Sequence, residues 1–164
     1  MKTNIRIATI QDIEQIVPLL ISLDDHHVNM YPSVFDVTKI TVEKRTAFLS
    51  NNINEPNNLF LIAEINTIIV GVVHCYIQET KNHPIKKDKK VAVLSDLYVD
   101  EQHRNKGIAS QLINASMELI KQNWNIDSVY LNVFNKNEEA IKLYEKLGFQ
   151  QLFCRYSINM KDKL

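Results

Sequence analysis

The sequence has few of the residues that mark several common ligand sites. It contains three glycines, Gly71, Gly107 and Gly148, in 164 residues. They are too widely spaced for the G-x-G-x-x-G fingerprint of dinucleotide binding or for a phosphate-binding P-loop. Its two cysteines, Cys75 and Cys154, lie in apolar stretches without a C-x-x-C spacing. This pattern favours buried thiols over a disulfide, a metal site or a catalytic nucleophile.

The chain also lacks an excess of charge of either sign. Nineteen Lys and Arg residues balance nineteen Asp and Glu residues, so no broad basic surface for nucleic acid is predicted. No apolar run approaches the length of a membrane-spanning helix. The N-terminal residues lack the apolar core and cleavage site of a signal peptide. We therefore expect no nucleic-acid or membrane partner and a cytoplasmic location.

Hydrophobic periodicity predicts a single α/β domain over residues 1–164, without a linker or an internal repeat. The element order is β-α-α-β-β-β-α-β-α-β, with an antiparallel middle and helical crossovers near the C-terminus. Pro18 lies inside the first helical pattern and predicts a kink or an early stop. The predicted strands are 5–8, 59–65, 68–77, 91–99, 129–134 and 149–158. The first predicted helix begins after Thr9 or Asp12, and the others are 38–51, 107–124 and 137–147. Residues 24–32 are predicted as a loop or short helix.

The segment that follows the strand 91–99 predicts an anion-binding site. An apolar strand ends at Val99, a short polar turn follows, and a helix begins near Gly107. The first backbone N–H groups of a helix have no partner within it, and the helix dipole adds positive potential there. Glycine allows close approach of a phosphate, and Arg104 and Lys106 add positive charge.

Two motifs in this region resemble those of the GNAT superfamily of N-acetyltransferases. The pattern Arg104-x-x-Gly107-x-Ala109 is similar to the superfamily's coenzyme-binding signature, and the preceding Asp-Leu-Tyr-Val is similar to its central strand. A second match lies downstream and contains Asn137, Ala140, Tyr144, Gly148 and Phe149. The resemblance covers about residues 62–153. It implies a GNAT-like mixed, mostly antiparallel sheet with flanking helices, and acetyl transfer from acetyl-CoA to a primary amine without a metal.

The resemblance also implies a role for each matched residue. The backbone of Leu97, Tyr98 and Val99 would pair with the pantetheine arm of acetyl-CoA, and the Leu97 N–H would donate to the thioester oxygen. Asn137 would contact the pantetheine. Tyr144 would act as the general acid that protonates the leaving thiolate. The pyrophosphate would be held by the backbone of Arg104, Asn105, Lys106, Gly107, Ile108, Ala109 and Ser110.

The general base is not defined by the sequence. Many members of the superfamily carry a Glu on the central strand where this chain has Ser95. Asp96 is the nearest carboxylate, but strand alternation turns it to the opposite face from Ser95, and the sequence leaves open which of the two faces the cleft. A base that acts through water, with His74, Tyr98 or His26 as contributors, is an alternative.

The polar segment Asp24-Asp25-His26-His27 has two further interpretations. Adjacent histidines diverge in a helix or a strand, and no third ligand stands at a recognised spacing, so no metal site is predicted. In the GNAT fold the first two helices cover the acceptor side of the cleft. Asp24, Asp25, His26, Tyr31 and Ser95 are therefore candidates for binding a cationic amine, with a solvated polar loop as the alternative.

The leading hypothesis is thus an N-acetyltransferase whose acceptor is a small amine, an aminoglycoside-like compound, a protein N-terminus or a lysine. A non-catalytic acyl-CoA-binding or regulatory module is the alternative, which Ser95 keeps open and Tyr144 argues against. Homodimers are common in the superfamily. No exposed stripe in this sequence indicates a particular interface.

Overall fold

A computed structural model describes residues 2–85, 87–126 and 128–158. The strands are β1 (Asn4–Ile7), β2 (Asn58–Ile65), β3 (Ile68–Thr80), β4 (Lys89–Val99) and β5 (Val129–Leu131). The helices are α1 (Ile13–Met30), α2 (Val42–Asn52), α3 (Ile108–Trp124) and α4 (Glu138–Lys146). The strands form one sheet in the order β1-β2-β3-β4-β5, antiparallel except for the β4–β5 pair. The predicted mixed, mostly antiparallel sheet is confirmed.

The chain divides into two compact units, Met1–Asn132 and Val133–Leu164. The first unit contains the sheet with α1, α2 and α3, and the second contains α4. In the first unit, one apolar cluster joins α1 and α2 to one face of the sheet through side chains that include Leu20, Leu49, Phe60 and Val72. Helix α3 packs on the other face, where Leu112 approaches Gly71 of β3.

The hairpin between β2 and β3 is formed as predicted. Its turn residues, Asn66 and Thr67, both adopt positive φ angles, 50° and 67°. Such angles match the twist of a two-residue hairpin. The hairpin places β3 at the centre of the antiparallel ladder, between β2 and β4.

Helix α1 is longer than predicted. It continues through Pro18 as far as Met30, so the early stop at Pro18 and the loop over 24–32 are both wrong. Proline removes one N–H donor from the helix ladder. The apolar face from Ile13 to Leu23 is buried along the sheet, and this burial outweighs the loss of that bond.

The predicted last strand, 149–158, is wrong for the part of the chain that the structure describes, so the order ends at α4. Alternating apolar residues favour a strand, but a strand also requires hydrogen bonds from a neighbouring strand. No described residue pairs with this segment, and Phe153 and Tyr156 are exposed. Cys154 is exposed as well, whereas Cys75 is buried as predicted, and its burial raises the pKa of its thiol to about 12.

A three-residue ion network fixes the entrance of α1 against the sheet. Arg6 on β1 donates to both carboxylate oxygens of Asp12 at 2.8 Å and to Glu64 on β2 at 2.8 Å. Asp12 also accepts from the Thr9 N–H at 2.7 Å. The hydrogen bonds from Arg6 and Thr9 hold the pKa of Asp12 far below its usual range, although burial opposes this shift.

Replacement of Asp12 by Asn is expected to lower the free energy of unfolding by about 2 kcal/mol, because it leaves Arg6 with a single carboxylate partner. The depressed pKa of Asp12 means that its contribution is present above about pH 4 and is lost as the pH falls further. Urea unfolding at pH 7 and pH 3 measures both effects. Glu14→Gln, an exposed change in the first turn of α1, is the control; equal losses for the two variants at pH 7 would contradict the assignment.

Candidate functional site

Strands β4 and β5 separate part of the way along β4. Strand β5 pairs in parallel with Ala92, Val93 and Leu94, and the ladder between them ends there. On its other side β4 stays paired with β3 as far as Val99. Within the described residues of this unit, β4 therefore has an edge without a strand partner over 95–99.

The backbone groups of Leu97 and Val99 lie on this open edge. The Asp100 N–H donates to Val70 of β3 at 2.9 Å, and backbone groups of alternate residues face alternate edges of a strand. Tyr98 and Asp100 therefore face β3, and Leu97 and Val99 face away from it. Their N–H and C=O groups are arranged to bind an extended chain in the manner of an added strand.

A short polar loop connects the end of β4 to α3. The Asp100 side chain accepts from the Gln102 N–H at 3.0 Å and fixes the first turn. Asn105 and Gly107 adopt left-handed conformations, with φ angles of 60° and 76°. The first bond of the helix runs from the Gln111 N–H to the Gly107 oxygen. The N–H groups of Ile108, Ala109 and Ser110 precede this bond and have no acceptor within the helix.

The cationic side chains of the loop stabilise the loop itself. Arg104 Nε donates to the Val99 oxygen at 3.1 Å, and the Arg104 guanidinium lies 5.3 Å from the centre of the Tyr98 ring. Lys106 Nζ donates to the Gln102 oxygen at 2.8 Å. Arg104 Nε and Lys106 Nζ are thus both used in contacts within the loop.

A β-bulge determines which carboxylate faces the helices α1 and α2. Cys75 of β3 lies opposite Leu94, whereas His74 lies opposite Asp96, so Ser95 is the extra residue on β4. The bulge turns the Asp96 side chain to the face that carries His74. Ser95 is exposed. The question that strand alternation left open is therefore answered in favour of Asp96.

Asp96 belongs to a half-buried polar cluster between the sheet and the two helices. Asp96 Oδ2 lies 3.2 Å from His74 Nδ1, and Asn58 Oδ1 lies 2.8 Å from His74 Nε2. Arg45 of α2 donates to Asp24 of α1 through Nε at 2.7 Å and also through Nη2. Burial would raise the pKa of Asp96, but the hydrogen bond to His74 and the charges of His74 and Arg45 outweigh it and lower that pKa.

The structure separates the four residues at positions 24–27 of α1 into two pairs. Asp24 and His27 are half-buried on the side of the cluster, whereas Asp25 and His26 are exposed. Tyr31 caps the end of the helix and is half-buried. Arg45 and Asn58 were not predicted as site residues, because both lie in locally polar stretches of the sequence where no pattern marks them.

The second unit contains the other part of the predicted site. Asn137 caps α4 by accepting from the Ala140 N–H at 3.3 Å. The Tyr144 ring lies 5.8 Å from that of Phe149, at an angle of 65° between their planes. Gly148 ends the helix with a φ of 90°. These features hold Tyr144 on the half-buried face of α4.

The chain belongs to the acetyltransferase (GNAT) family, because the family model matches residues 22–149. An N-alpha-acetyltransferase of Sulfurisphaera tokodaii is 34% identical over 111 residues, which are 64% of either chain. The chain thus spans less than two thirds of the length of that relative. The uncharacterized N-acetyltransferase YhfO of Bacillus subtilis is 26% identical over 162 residues, which are 98% of this chain and 99% of YhfO.

Solved structures with low sequence identity share the fold. A mutant of the BH1408 protein from Bacillus halodurans superposes with a TM-score of 0.83 at 22% identity, over 96% of this chain and 99% of that chain. The aminoglycoside N-acetyltransferase AAC(6')-Iy in complex with CoA superposes with a TM-score of 0.74 at 16% identity, over 98% and 95%. These comparisons confirm the family and the fold class that the motifs predicted.

Features of two other kinds are absent from the described residues. None of the helices there has the length and apolar character needed to cross a bilayer. Among the same residues, no group of three or more His, Cys, Asp or Glu side chains is arranged to bind a metal ion.

Replacement of Arg104 by Gln is expected to lower the free energy of unfolding by about 1 kcal/mol in the absence of any ligand. The physical reason is the loss of the Nε donor to Val99 and of the contact with Tyr98. Thermal and urea unfolding measure the change. Lys106→Gln is the matched control, with an expected change within about 0.5 kcal/mol; a control that destabilises as much as Arg104→Gln would show that general loop charge, not this contact, matters.

Proposed function

We propose that the chain is an N-acetyltransferase that transfers an acetyl group from acetyl-CoA to a primary amine. The observation that carries the proposal is the continuous surface formed by the open edge of β4, the loop after it and the start of α3. Its strand-like and anion-binding parts follow one another in the order that a pantetheine arm and a pyrophosphate require. We further propose that both units act together as one domain over residues 1–164.

The residues of the first unit fit this coenzyme by the chemistry of their donors. Leu97 and Val99 offer backbone groups to the amides of a pantetheine chain, and the N–H groups of Gly107, Ile108 and Ala109 suit the pyrophosphate. The CoA complex of the structurally similar aminoglycoside N-acetyltransferase supports the choice of ligand. Tyr98, Arg104, Asn105, Lys106 and Ser110 complete the proposed coenzyme site, and Asn137 joins it from the second unit.

The proposed mechanism is direct transfer without a covalent enzyme intermediate. Bound acetyl-CoA supplies a thioester carbonyl as the electrophile. The Leu97 N–H, fixed by the β3–β4 ladder, stabilises the negative charge that develops on the carbonyl oxygen. The Tyr144 hydroxyl gives its proton to the leaving thiolate. The amine approaches from the face of α1 and α2, which carries Asp96 and His74.

The named relatives support an amine acceptor but differ in which amine they use. Two archaeal relatives and one from Danio rerio are N-alpha-acetyltransferases, and a relative from Bacillus subtilis is a spermine/spermidine N(1)-acetyltransferase. All of these names describe transfer to a basic nitrogen. We therefore propose a cationic primary amine as the acceptor class.

Acetyl-CoA at 100 times its dissociation constant is expected to stabilise the folded protein by about 2.7 kcal/mol. Thermal unfolding with increasing coenzyme measures this effect. Asn105→Asp keeps the size of the side chain and tolerates the left-handed backbone, but it places a negative charge beside the pyrophosphate. This change is expected to weaken binding about fivefold, from roughly 1 kcal/mol of repulsion.

Asn114→Asp is the matched control for that experiment, because it makes the same chemical change on an exposed part of α3. Its affinity for acetyl-CoA is expected to stay within twofold of that of the wild type, since exposed charges farther away are screened by solvent and salt. No shift at millimolar acetyl-CoA in the wild type would contradict the proposed coenzyme site.

Replacement of Tyr144 by Phe is expected to lower kcat about 100-fold, with little change in the KM for acetyl-CoA, because only the proton donor is removed. Release of the coenzyme thiol in the presence of a panel of amines measures turnover. Tyr156→Phe, at a 93% exposed tyrosine of the same unit, is the control. Unchanged turnover in Tyr144→Phe would refute the general-acid role.

A further inference from the structure

The polar cluster under α1 and α2 contains more negative than fixed positive charge. Asp24 and Asp96 are carboxylates, and Arg45 is the fixed cation between them. Arg45 binds Asp24 with two donors, but its Nη2 is 4.0 Å from Asp96 Oδ1, which is longer than a hydrogen bond. Asp96 therefore depends on His74 for its direct contact.

The contact with Asn58 determines which nitrogen of His74 carries a permanent hydrogen. The other nitrogen faces Asp96. Asn58 Oδ1 lies 2.8 Å from His74 Nε2, and a carbonyl oxygen only accepts, so Nε2 carries a hydrogen. Nδ1, at 3.2 Å from Asp96 Oδ2, is then the nitrogen that takes up or releases a proton. Without that proton a lone pair faces a carboxylate, and with it the two groups form a charge-assisted hydrogen bond.

The remaining packing holds the His74 ring in this orientation. The ring stacks on Phe60 at a centroid distance of 4.1 Å with 4° between the planes, and Phe48 meets its face from α2 at 5.6 Å. The His74 side chain is 5% exposed and that of Asp96 is 14% exposed. Asp96 is thus the member of the pair that solvent and ligands can reach.

We infer that the Asp96–His74 pair is the proton acceptor for the amine substrate, with Asp96 contacting the amine and Asn58 acting as a positioning residue. This inference rests on the proposed acetyl transfer. Asp96 immediately precedes Leu97, the proposed oxyanion donor, so the two groups act on neighbouring atoms of one reaction. Many members of the family carry a carboxylate at the position of Ser95. In this chain Asp96 supplies the carboxylate, because the bulge turns it to the acceptor face.

The proton balance of the reaction is complete with these residues. The ammonium group of the acceptor gives one proton through Asp96 to Nδ1 of His74, which becomes an imidazolium facing a carboxylate. The nitrogen lone pair then forms the bond to the carbonyl carbon as the carbon–sulfur bond breaks. The thiolate takes the Tyr144 proton. The attacking nitrogen, which now carries one proton more than an amide, returns that proton to the Tyr144 oxygen through water, and the pair releases its own proton to water, so one proton is released for each acetyl group transferred.

The surroundings of the pair affect its affinity for a proton in opposing directions. Asp24 favours the protonated pair and Arg45 disfavours it. Burial and the charge of His26 lower the pKa of His27. Among the described residues, the groups that face the pair are Asp24 and His27 from α1, Arg45 from α2, Asn58 from β2 and Tyr76 from β3.

The experiment compares the pH dependence of kcat/KM for one amine substrate in variants of the full chain. The ionisation of the amine itself is common to all of them, so any change belongs to the protein. Asp96→Asn is expected to lower kcat about 100-fold at pH 7, with the KM for acetyl-CoA unchanged, and to leave only the rise of kcat/KM with pH that the ionisation of the amine causes. His74→Gln should move that rise to lower pH.

Asn58→Asp gives the decisive second variant, because it keeps the size of the side chain and adds a negative charge next to Nε2. That charge favours the protonated pair, so the rise in rate is expected to move to higher pH by about one unit. Glu118→Gln, an exposed carboxylate-to-amide change on α3, is the matched control and should leave the profile as in the wild type.

Nitrogen-15 spectra of His74 in the coenzyme-free protein provide a measurement that does not depend on turnover. We expect Nε2 to carry a hydrogen at every pH measured. We expect Nδ1 to gain a hydrogen as the pH falls and to lose it as the pH rises. A neutral ring with its hydrogen on Nδ1, or a pH profile unchanged in both folded Asp96→Asn and Asn58→Asp, would overturn the inference. A wild type that binds acetyl-CoA but acetylates no amine would instead contradict the proposed function itself.

Discussion

The extra residue in β4 is the constraint on which the site depends. A strand pairs with one neighbour on each edge, and a bulge changes the faces of all residues beyond it. Here Ser95 is that residue, and beyond it β4 keeps β3 as a partner but not β5. One irregularity thus coincides with the opening of an edge for an extended ligand and with the placement of Asp96 beside His74. The rest of the first unit supports it, since α3 packs on one face and α1 with α2 on the other.

The charged side chains of the site mainly position other groups. Arg104 binds the carbonyl of Val99, and Arg45 binds Asp24, so both guanidinium groups are used within the protein. Anion binding then falls to backbone N–H groups, whose directions are set by the helix and not by flexible side chains. On the proposed function, this division would suit a chain with no net charge to a strongly anionic coenzyme.

Local patterns in the sequence predicted most of the fold and the local conformation of the segments that we propose for coenzyme binding. The helix entrance at Gly107, the cap at Asn137 and the hairpin at Asn66 depend on residues within a few positions of one another, so their signals are readable. The bulge, by contrast, results from pairing with a distant strand, and no local pattern at Ser95 predicts it. The same is true of contacts between Arg45 and Asp24, which are 21 positions apart.

Two errors have a common physical origin. Pro18 suggested a break in α1, and the apolar alternation in 149–158 suggested a strand. In both cases the local tendency was real but weaker than a tertiary requirement. Burial keeps α1 continuous, and the absence of a pairing partner among the described residues leaves 149–158 without a ladder.

The open edge of β4 is a strand that lacks a neighbour on one side. It has the donors and acceptors of a paired strand but no strand beside it, and such edges are templates for association with other chains. On the proposed function, bound coenzyme would cover that edge and therefore also protect the protein from aggregation. The solubility of the protein during expression and storage would then depend on the fraction of molecules that hold coenzyme.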